Sequence, residues 1–162
     1  LYHNFPLTTK LIKQNSLLKT MPVLDEAQSQ NSGPTKYIFV SGGVISGVGK
    51  GVCAAAIAVL LKKRGFKVSS IKCENYLNVD SGTINPIEHG DPFLCNDGLE
   101  ADMDLGTYER FLGEEMGHDN FTTMGQIYKT VIDRERSMGY EGEDVEAIPH
   151  VSDEIIRRIK KI

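Results

Sequence analysis

The sequence predicts an α/β domain in which helices flank a parallel β-sheet. Three observations predict this class: an apolar run at residues 37–40, a glycine-rich turn at 42–51, and an alanine- and leucine-rich segment at 52–64 that ends in basic residues before Gly65. A second strand is predicted at 67–71. Strand, turn, helix and strand in this order form a βαβ unit, whose two strands are parallel.

Two further helices and a third strand are predicted in the second half of the chain. Residues 73–106 are rich in Asn, Asp, Gly and Pro and are predicted to be mostly loop. Thr123 and Gln126 fit a capping box ahead of one helix, and Ser152 is expected to cap the last. Residues 145–148, closed by a proline, predict a strand. The helical apolar spacing is carried by Met124, Ile127, Tyr128, Val131 and Ile132, and by Ile155, Ile156, Ile159 and Ile162.

The first 35 residues differ from the rest and are predicted to be a disordered N-terminal extension and linker. Residues 1–20 carry three lysines and no acid, and 25–35 are polar. Sequence upstream of a true start at Met21 and an organellar leader are alternatives, although the absence of arginine disfavours the leader. Because the chain begins with Leu1 and ends at Ile162 without a helix stop signal, we expect a fragment whose sheet is incomplete at the C-terminus.

Composition excludes several classes of function. The 162 residues carry 18 basic and 22 acidic side chains, and this net charge of −4 argues against nucleic-acid polymers and anionic membranes as partners. The longest apolar run, 52–61, is too short to cross a membrane. Three cysteines lie 20 and 22 residues apart and fit neither a zinc nor a redox motif, which favours structural thiols in a reducing, cytoplasmic compartment. Cys53 is expected in the core.

The glycine-rich turn is the most informative stretch for chemistry. Successive backbone N–H groups in such a turn can converge on a phosphate, and the helix that follows adds its dipole. Close packing of a helix on a sheet is the alternative explanation for the glycines. Lys50 disfavours it, because a cation at a helix N-terminus opposes the dipole unless an anion lies between them.

The turn departs from the Walker phosphate-loop pattern at two positions. The first glycine is displaced, because Val44 stands where it belongs, and Gly51 replaces the Ser or Thr whose hydroxyl helps to hold Mg²⁺. Any metal therefore needs carboxylates from elsewhere. Residues 91–109 hold six acids and no base, which are either such a source or a solvated loop; they are Asp91, Asp97, Glu100, Asp102, Asp104 and Glu109.

Ordered motifs resemble the N-terminal part of the CTP synthase family over about residues 36–162. The sequence from Tyr37 to Gly51 resembles the N-terminal signature of that family, and its Ser46-Gly47 pair resembles the eukaryotic form of the loop. Further motifs match in order: Tyr76-Leu-Asn-Val-Asp80, Asp102-Met-Asp-Leu-Gly106, Tyr108-Glu-Arg-Phe111, Phe121-Thr-Thr123, Arg134-Glu-Arg136 and Ile148-Pro-His150.

The resemblance implies a P-loop-like synthetase domain that uses ATP and Mg²⁺ to phosphorylate the 4-oxygen of UTP. Ammonia, released from glutamine by a separate C-terminal amidotransferase domain, then displaces the phosphate to give CTP. By motif, Lys50 and Lys72 are the catalytic lysines, Asp104 binds Mg²⁺ and ATP, and Ser46 borders the UTP/CTP site. The ATP phosphate loop corresponds to Gly47, Val48, Gly49, Lys50, Gly51 and Val52.

The sequence also departs from the family. Glu74 and Asn75 replace an Asp-Pro pair, residues 90–93 carry an unusual proline, and acids at 141–146 replace a basic stretch of the UTP pocket and tetramer interface. This puts UTP affinity, and the homo-tetramer or filament expected of the full-length family, in question. The given residues are expected to end before the family's amidotransferase domain, and the isolated fragment is expected to be inactive. A P-loop-like ATPase of another class, and a truncated non-catalytic paralogue or assembly subunit that retains nucleotide binding, are the other interpretations.

Overall fold

A computed structural model describes residues 34–43 and 48–162. The helices are α1 (Lys50–Lys62), α2 (Pro86–His89), α3 (Met103–Leu112), α4 (Met124–Arg136) and α5 (Ser152–Lys161), with a 3₁₀ turn at His118–Asn120 and an irregular helical turn at Ala147–Val151. The strands are β1 (Lys72–Glu74), β2 (Phe93–Leu94), β3 (Glu100–Ala101) and β4 (Phe121–Thr123). β1 and β4 pair in parallel, and β2 and β3 form an antiparallel hairpin. The predicted α/β class with a parallel sheet and flanking helices is confirmed.

The main core lies between α1, α3 and the hairpin. α1 buries Gly51, Ala55 and Ala58, which are spaced along one face of the helix, and their small side chains let α3 approach closely. From the other side Leu105 and Phe121 fill the space and are fully buried. Burying each such large side chain contributes about 1.5–3 kcal/mol. The packing of α1 on α3 therefore holds the first turns of these two helices together.

α4 begins directly at the end of β4, as the capping residue predicts. The Thr123 hydroxyl accepts a hydrogen bond from the Gln126 backbone N–H at 3.1 Å, which satisfies a free donor of the first turn. The reciprocal half of the capping box is absent, because the Gln126 Oε1 that would accept the Thr123 N–H instead accepts a hydrogen bond from the Arg158 guanidinium at 2.8 Å. The Gln126 Nε2 donates to the Val79 carbonyl at 2.7 Å. The predicted helix is therefore confirmed, and its cap also ties down the loop that follows β1.

α5 is anchored to α4 and β4 by one arginine. The Arg158 guanidinium donates to Glu154 at 2.8 Å within α5 and to the hydroxyls of Thr122 (3.0 Å) and Thr130 (2.8 Å). The helix is confirmed, but the expected cap is wrong: α5 begins at Ser152 itself, and the Ser152 hydroxyl donates to the Ala147 carbonyl at 3.4 Å.

Three predicted strands are wrong. In each segment either a neighbouring strand is missing among the described residues or a backbone donor is already bonded elsewhere. Residues 37–40 have no strand beside them among the described residues and remain exposed, Phe39 by 78%, so the predicted βαβ unit is not formed. Residues 67–71 are irregular, because the partner β4 is only three residues long and pairs with β1 instead. In 145–148 the Glu146 N–H donates a hydrogen bond to His150 Nδ1 at 3.0 Å and is therefore not free for a strand partner. An irregular helical turn follows.

The predicted helix after the glycine turn is confirmed, with shifted bounds. It runs over Lys50–Lys62 rather than 52–64, and Gly65, with a φ of 85°, donates its N–H to the Lys62 carbonyl as a C-terminal cap. Cys53 is exposed rather than in the core, because the buried stripe of α1 passes through Gly51 and Ala55 instead. The predicted extension at 1–35 lies almost wholly outside the described residues and stays a prediction.

Candidate functional site

The first turn of α1 forms one side of the candidate site. Gly49 precedes the helix with a φ of 87°, a left-handed conformation that favours glycine, and its carbonyl accepts a hydrogen bond from the Cys53 N–H at 2.9 Å. Lys50 is the first helical residue, and its Nζ donates to the Gly43 carbonyl. The ammonium therefore folds back towards Gly43.

The side chains of two other residues of the predicted phosphate loop are exposed. These residues are Val48 and Val52. Ser46 and Gly47 lie outside the described residues, so the structure leaves their predicted roles untested.

Gly51 makes room for a carboxylate at the position where the Walker pattern carries a hydroxyl. A Cβ placed on Gly51 would lie 2.2 Å from Asp104 Oδ1 and 2.4 Å from Oδ2, well inside the 3.0 Å that such contacts essentially never cross. The carboxylate of Asp104 thus occupies the space that a Ser or Thr side chain would need. The sequence shows that a hydroxyl is missing, and the fold places an acidic side chain in the vacated position.

The N-terminal ends of α1 and α3 lie together. Gly51 in the first turn of α1 contacts Asp104 in the first turn of α3, and Lys62 Nζ in the last turn of α1 donates to the carbonyl of Leu112, the last residue of α3, at 2.6 Å. The two helices therefore run side by side in the same direction. Since each helix N-terminus carries a partial positive charge, the two ends together favour anionic groups.

Lys72 on β1 is the second cation of this site, in addition to Lys50. Its Nζ lies 2.5 Å from Asp104 Oδ2, 3.1 Å from Glu74 Oε1 and 3.9 Å from Asp102 Oδ1. Burial by itself lowers the pKa of Lys72, but the hydrogen bond to Asp104 and the charges of Asp102 and Glu74 raise it overall. Lys72 therefore stays charged at neutral pH.

Asp102 has a separate structural task. Its Oδ1 accepts a hydrogen bond from the Asp104 N–H at 2.8 Å and caps α3. This bond fixes the helix start, and with it the position of the Asp104 side chain two residues later.

Two phenols border the cluster, of which Tyr108 is buried and Tyr76 is half-buried. Burial raises the pKa of both Tyr76 and Tyr108 to about 12. The Tyr76 hydroxyl lies 3.1 Å from Ser81 Oγ. Both rings stay neutral at physiological pH, so they shield the charges from water without adding a charge.

The donors at this site fit Mg²⁺. Carboxylate oxygens are the ligands that Mg²⁺ prefers, and it usually takes one or two from the protein and the remainder from phosphate and water. Asp104 lies where it can serve a metal next to the glycine turn. Within residues 34–43 and 48–162, no group of three or more His, Cys, Asp or Glu side chains is arranged to hold a metal ion by itself.

The six acids of 91–109 do not act as one cluster. Only Asp102 and Asp104 lie beside Lys72. Asp97 is 2.7 Å from His118 Nδ1, and Glu109 accepts the Met116 N–H at 2.9 Å. For the greater part of the run, the solvated or structural interpretation is therefore the better one.

The acidic stretch at 141–146 is turned to solvent. Glu141, Glu143, Asp144 and Glu146 are all exposed, and water screens exposed charges strongly. Behind them Tyr140 packs edge-on against His150 with ring centroids 4.8 Å apart, and the Arg134 guanidinium lies 4.7 Å from the Tyr140 ring centroid. The acids are thus the outer face of a small aromatic cluster.

Glu74 is the site residue that sequence reasoning missed. It stood out only as a departure from the family pattern, with no role attached. The available signal was its spacing: residues two apart on a strand project to the same face, so Lys72 and Glu74 were bound to be neighbours if this segment formed a strand.

An open groove lies elsewhere, lined by α4 and by Asn75 and Leu77 after β1. None of the predicted site residues lines it. No helix in the described part of the chain is long and apolar enough to cross a membrane.

Comparison with known proteins agrees with the motifs. The profile of the family described as CTP synthase N-terminus matches residues 36–162. A CTP synthase of Pyrococcus furiosus is 53% identical over 128 residues, which are 79% of this chain and 24% of that protein. One of Nautilia profundicola is 54% identical over the same share of each chain, and one of Haloquadratum walsbyi is 50% identical over 87% of this chain and 25% of its own length.

The chain thus spans about a quarter of the length of these curated relatives. The profile nevertheless covers the whole α/β region, including Lys50, Lys72 and Asp104. The chain belongs to the CTP synthase N-terminus family.

Proposed function

We propose that this chain is the N-terminal part of a CTP synthase and binds MgATP for the phosphorylation of UTP at its 4-oxygen. The observation that carries the proposal is the position of the Asp104 carboxylate. It packs against Gly51 where the N-termini of α1 and α3 lie together, and it is 2.5 Å from Lys72 Nζ. This is the charge pattern that a metal–triphosphate needs: amides and cations for phosphate oxygens, and a carboxylate for the metal.

The proposed reaction has two parts. The γ-phosphoryl group of ATP moves to the 4-oxygen of UTP and leaves ADP. Ammonia, derived from glutamine, then adds at carbon 4, and the phosphate departs with the bonding electrons to leave CTP. Phosphoryl transfer consists mostly of positioning and charge neutralisation on oxygen.

Each residue has a proposed task. Lys50 leaves the Gly43 carbonyl and binds the β- and γ-phosphates, because its ammonium forms a stronger hydrogen bond with a charged phosphate oxygen than with a neutral carbonyl. The amides of the first turn of α1 bind phosphate oxygens, and Lys72 neutralises the transferring group. Mg²⁺ held by Asp104 would supply further charge neutralisation on the phosphates. Ser46 is proposed at the border of the UTP/CTP site.

The remaining partners follow from the same proposal. UTP and CTP are the proposed pyrimidine ligands, glutamine acts through an amidotransferase domain, and the complete protein is proposed to be cytoplasmic and a homo-tetramer or filament. A non-catalytic paralogue that serves in assembly is the second candidate. The exposed acids at 141–146 favour it, since they replace a basic stretch expected at the pyrimidine pocket.

Calorimetry with MgATP tests the phosphate site in this chain. We expect binding in the unaltered protein and a loss of at least tenfold in affinity for Lys50→Ala, since a charge-assisted hydrogen bond is worth about 1.5–3 kcal/mol. Lys63→Ala is the matched control, because Lys63 is exposed at the opposite end of α1. A folded protein without binding at millimolar MgATP, or equal losses in both variants, would contradict the assignment.

A further inference from the structure

Glu74 is the least occupied carboxylate beside Lys72. Asp104 is packed against Gly51, and Asp102 is bonded to the first turn of α3. Among the described residues, the one polar partner of the Glu74 carboxylate is the Lys72 ammonium, at 3.1 Å. The Glu74 side chain is only 20% exposed, so water competes weakly for it. A partly buried carboxylate with a single partner makes a stable tether for that partner.

Lys72 is held from two directions. Asp104 approaches from the first turn of α3, and Glu74 lies on the same strand as Lys72 itself. The contact to Asp104 is the shorter one, so in the protein alone Asp104 is the main partner and Glu74 is the second. Under the proposed function, however, Asp104 also serves Mg²⁺. One carboxylate cannot fully neutralise a lysine and a divalent cation at once, because the two cations repel each other at short range.

We propose that Glu74 is a positioning residue that holds Lys72 at the phosphate site when Asp104 is engaged by Mg²⁺. Without metal, Asp104 and Glu74 share Lys72, and either one is sufficient. With metal, Asp104 is committed and Glu74 is the nearest remaining partner of the Lys72 ammonium, because Asp102 lies farther away at 3.9 Å and caps α3. Glu74 then keeps the ammonium from moving away from the phosphates. This inference rests on the proposed function, and it assigns a task to a residue at which the sequence departs from its family pattern.

The test is the dependence of ATP affinity on Mg²⁺ in Glu74→Gln, measured by calorimetry on this chain. In EDTA we expect Glu74→Gln to change the affinity for ATP less than threefold. With Mg²⁺ we expect it to weaken binding at least tenfold, since a hydrogen bond to a charged group contributes about 1.5–3 kcal/mol. Glu74→Asp keeps the charge and should retain more of the MgATP affinity than Glu74→Gln.

Controls separate this role from a structural one. Glu115→Gln removes an exposed carboxylate from the loop after α3 and should affect neither affinity. A merely structural role for Glu74 would lower both affinities together, so equal losses with and without Mg²⁺ would overturn the proposal. So would an unchanged MgATP affinity in Glu74→Gln. Failure of the proposed function is distinct, because the unaltered chain would then not bind MgATP at all.

Discussion

Replacing Gly51 by alanine tests the contact on which the site depends. The new Cβ would meet Asp104 Oδ1 at 2.2 Å, and ordinary van der Waals contact begins at 3.4 Å, so the carboxylate must retreat by about 1 Å or more. Lys72 is bonded to that carboxylate at 2.5 Å, and the retreat therefore strains two contacts at once.

The expected magnitude follows from three terms. Overpacking costs about 1–3 kcal/mol. The weakened bond to Lys72 adds a smaller, partly screened cost, because the Asp104 side chain is 23% exposed. Alanine in a helix returns about 0.5–1 kcal/mol relative to glycine. We expect Gly51→Ala to lower the free energy of unfolding by about 1–3 kcal/mol.

A double-mutant cycle isolates the cause. In the Asp104→Ala background the obstacle is gone, and Gly51→Ala should be neutral or stabilising by up to about 1 kcal/mol. Urea unfolding followed by circular dichroism measures all four proteins, and the difference between the two backgrounds should give a coupling energy of about 1–4 kcal/mol. Gly43→Ala is the control, since nothing lies within 4 Å of its would-be Cβ. Equal destabilisation by Gly51→Ala in both backgrounds would refute the reasoning.

Two further predictions concern the anchor of α5. Arg158→Met should lower the free energy of unfolding by about 2 kcal/mol, because it removes the donors that join α5 to Thr122 on β4 and to Thr130 on α4. Arg157→Met also removes a partner of Glu154, but its side chain is 56% exposed and those hydrogen bonds lie within α5, so it should cost less than about 1 kcal/mol in the same urea titration. The hydrogen bonds from Arg157 and then Arg158 hold the pKa of Glu154 below its usual range, against the effect of burial. The Glu154 carboxylate therefore stabilises the fold above its unfolded pKa of about 4.3, and this stabilisation is lost as the pH falls through the lower folded pKa. Glu154→Gln should therefore be less stable than the unaltered chain at pH 7 and close to it near pH 2, as thermal unfolding would measure; a gap that does not change with pH would contradict this.

Local sequence signals succeeded where the interaction is local. The helices at Lys50–Lys62 and Met124–Arg136 follow from apolar spacing, a glycine stop and a threonine cap, all of which act within a few residues. The strands failed for the opposite reason. Residues 37–40 have the composition of a buried strand, but no strand lies beside them in the part of the chain that the structure describes. The composition of one segment cannot say whether another segment lies beside it.

The candidate site divides along the same line. From the sequence alone one can determine that a glycine turn lies ahead of a helix, that the hydroxyl after Lys50 is missing, and which family the motifs resemble. Only the tertiary structure decided that Asp104 fills the space above Gly51, that α1 and α3 start side by side, and that Glu74 shares Lys72 with Asp104. The physical reason is that phosphate-binding loops and helix caps depend on residues that are neighbours in the sequence. The contacts of Asp104 with Gly51 and Lys72 join positions far apart in the chain, so they form only when α1 packs on α3 and β1 pairs with β4.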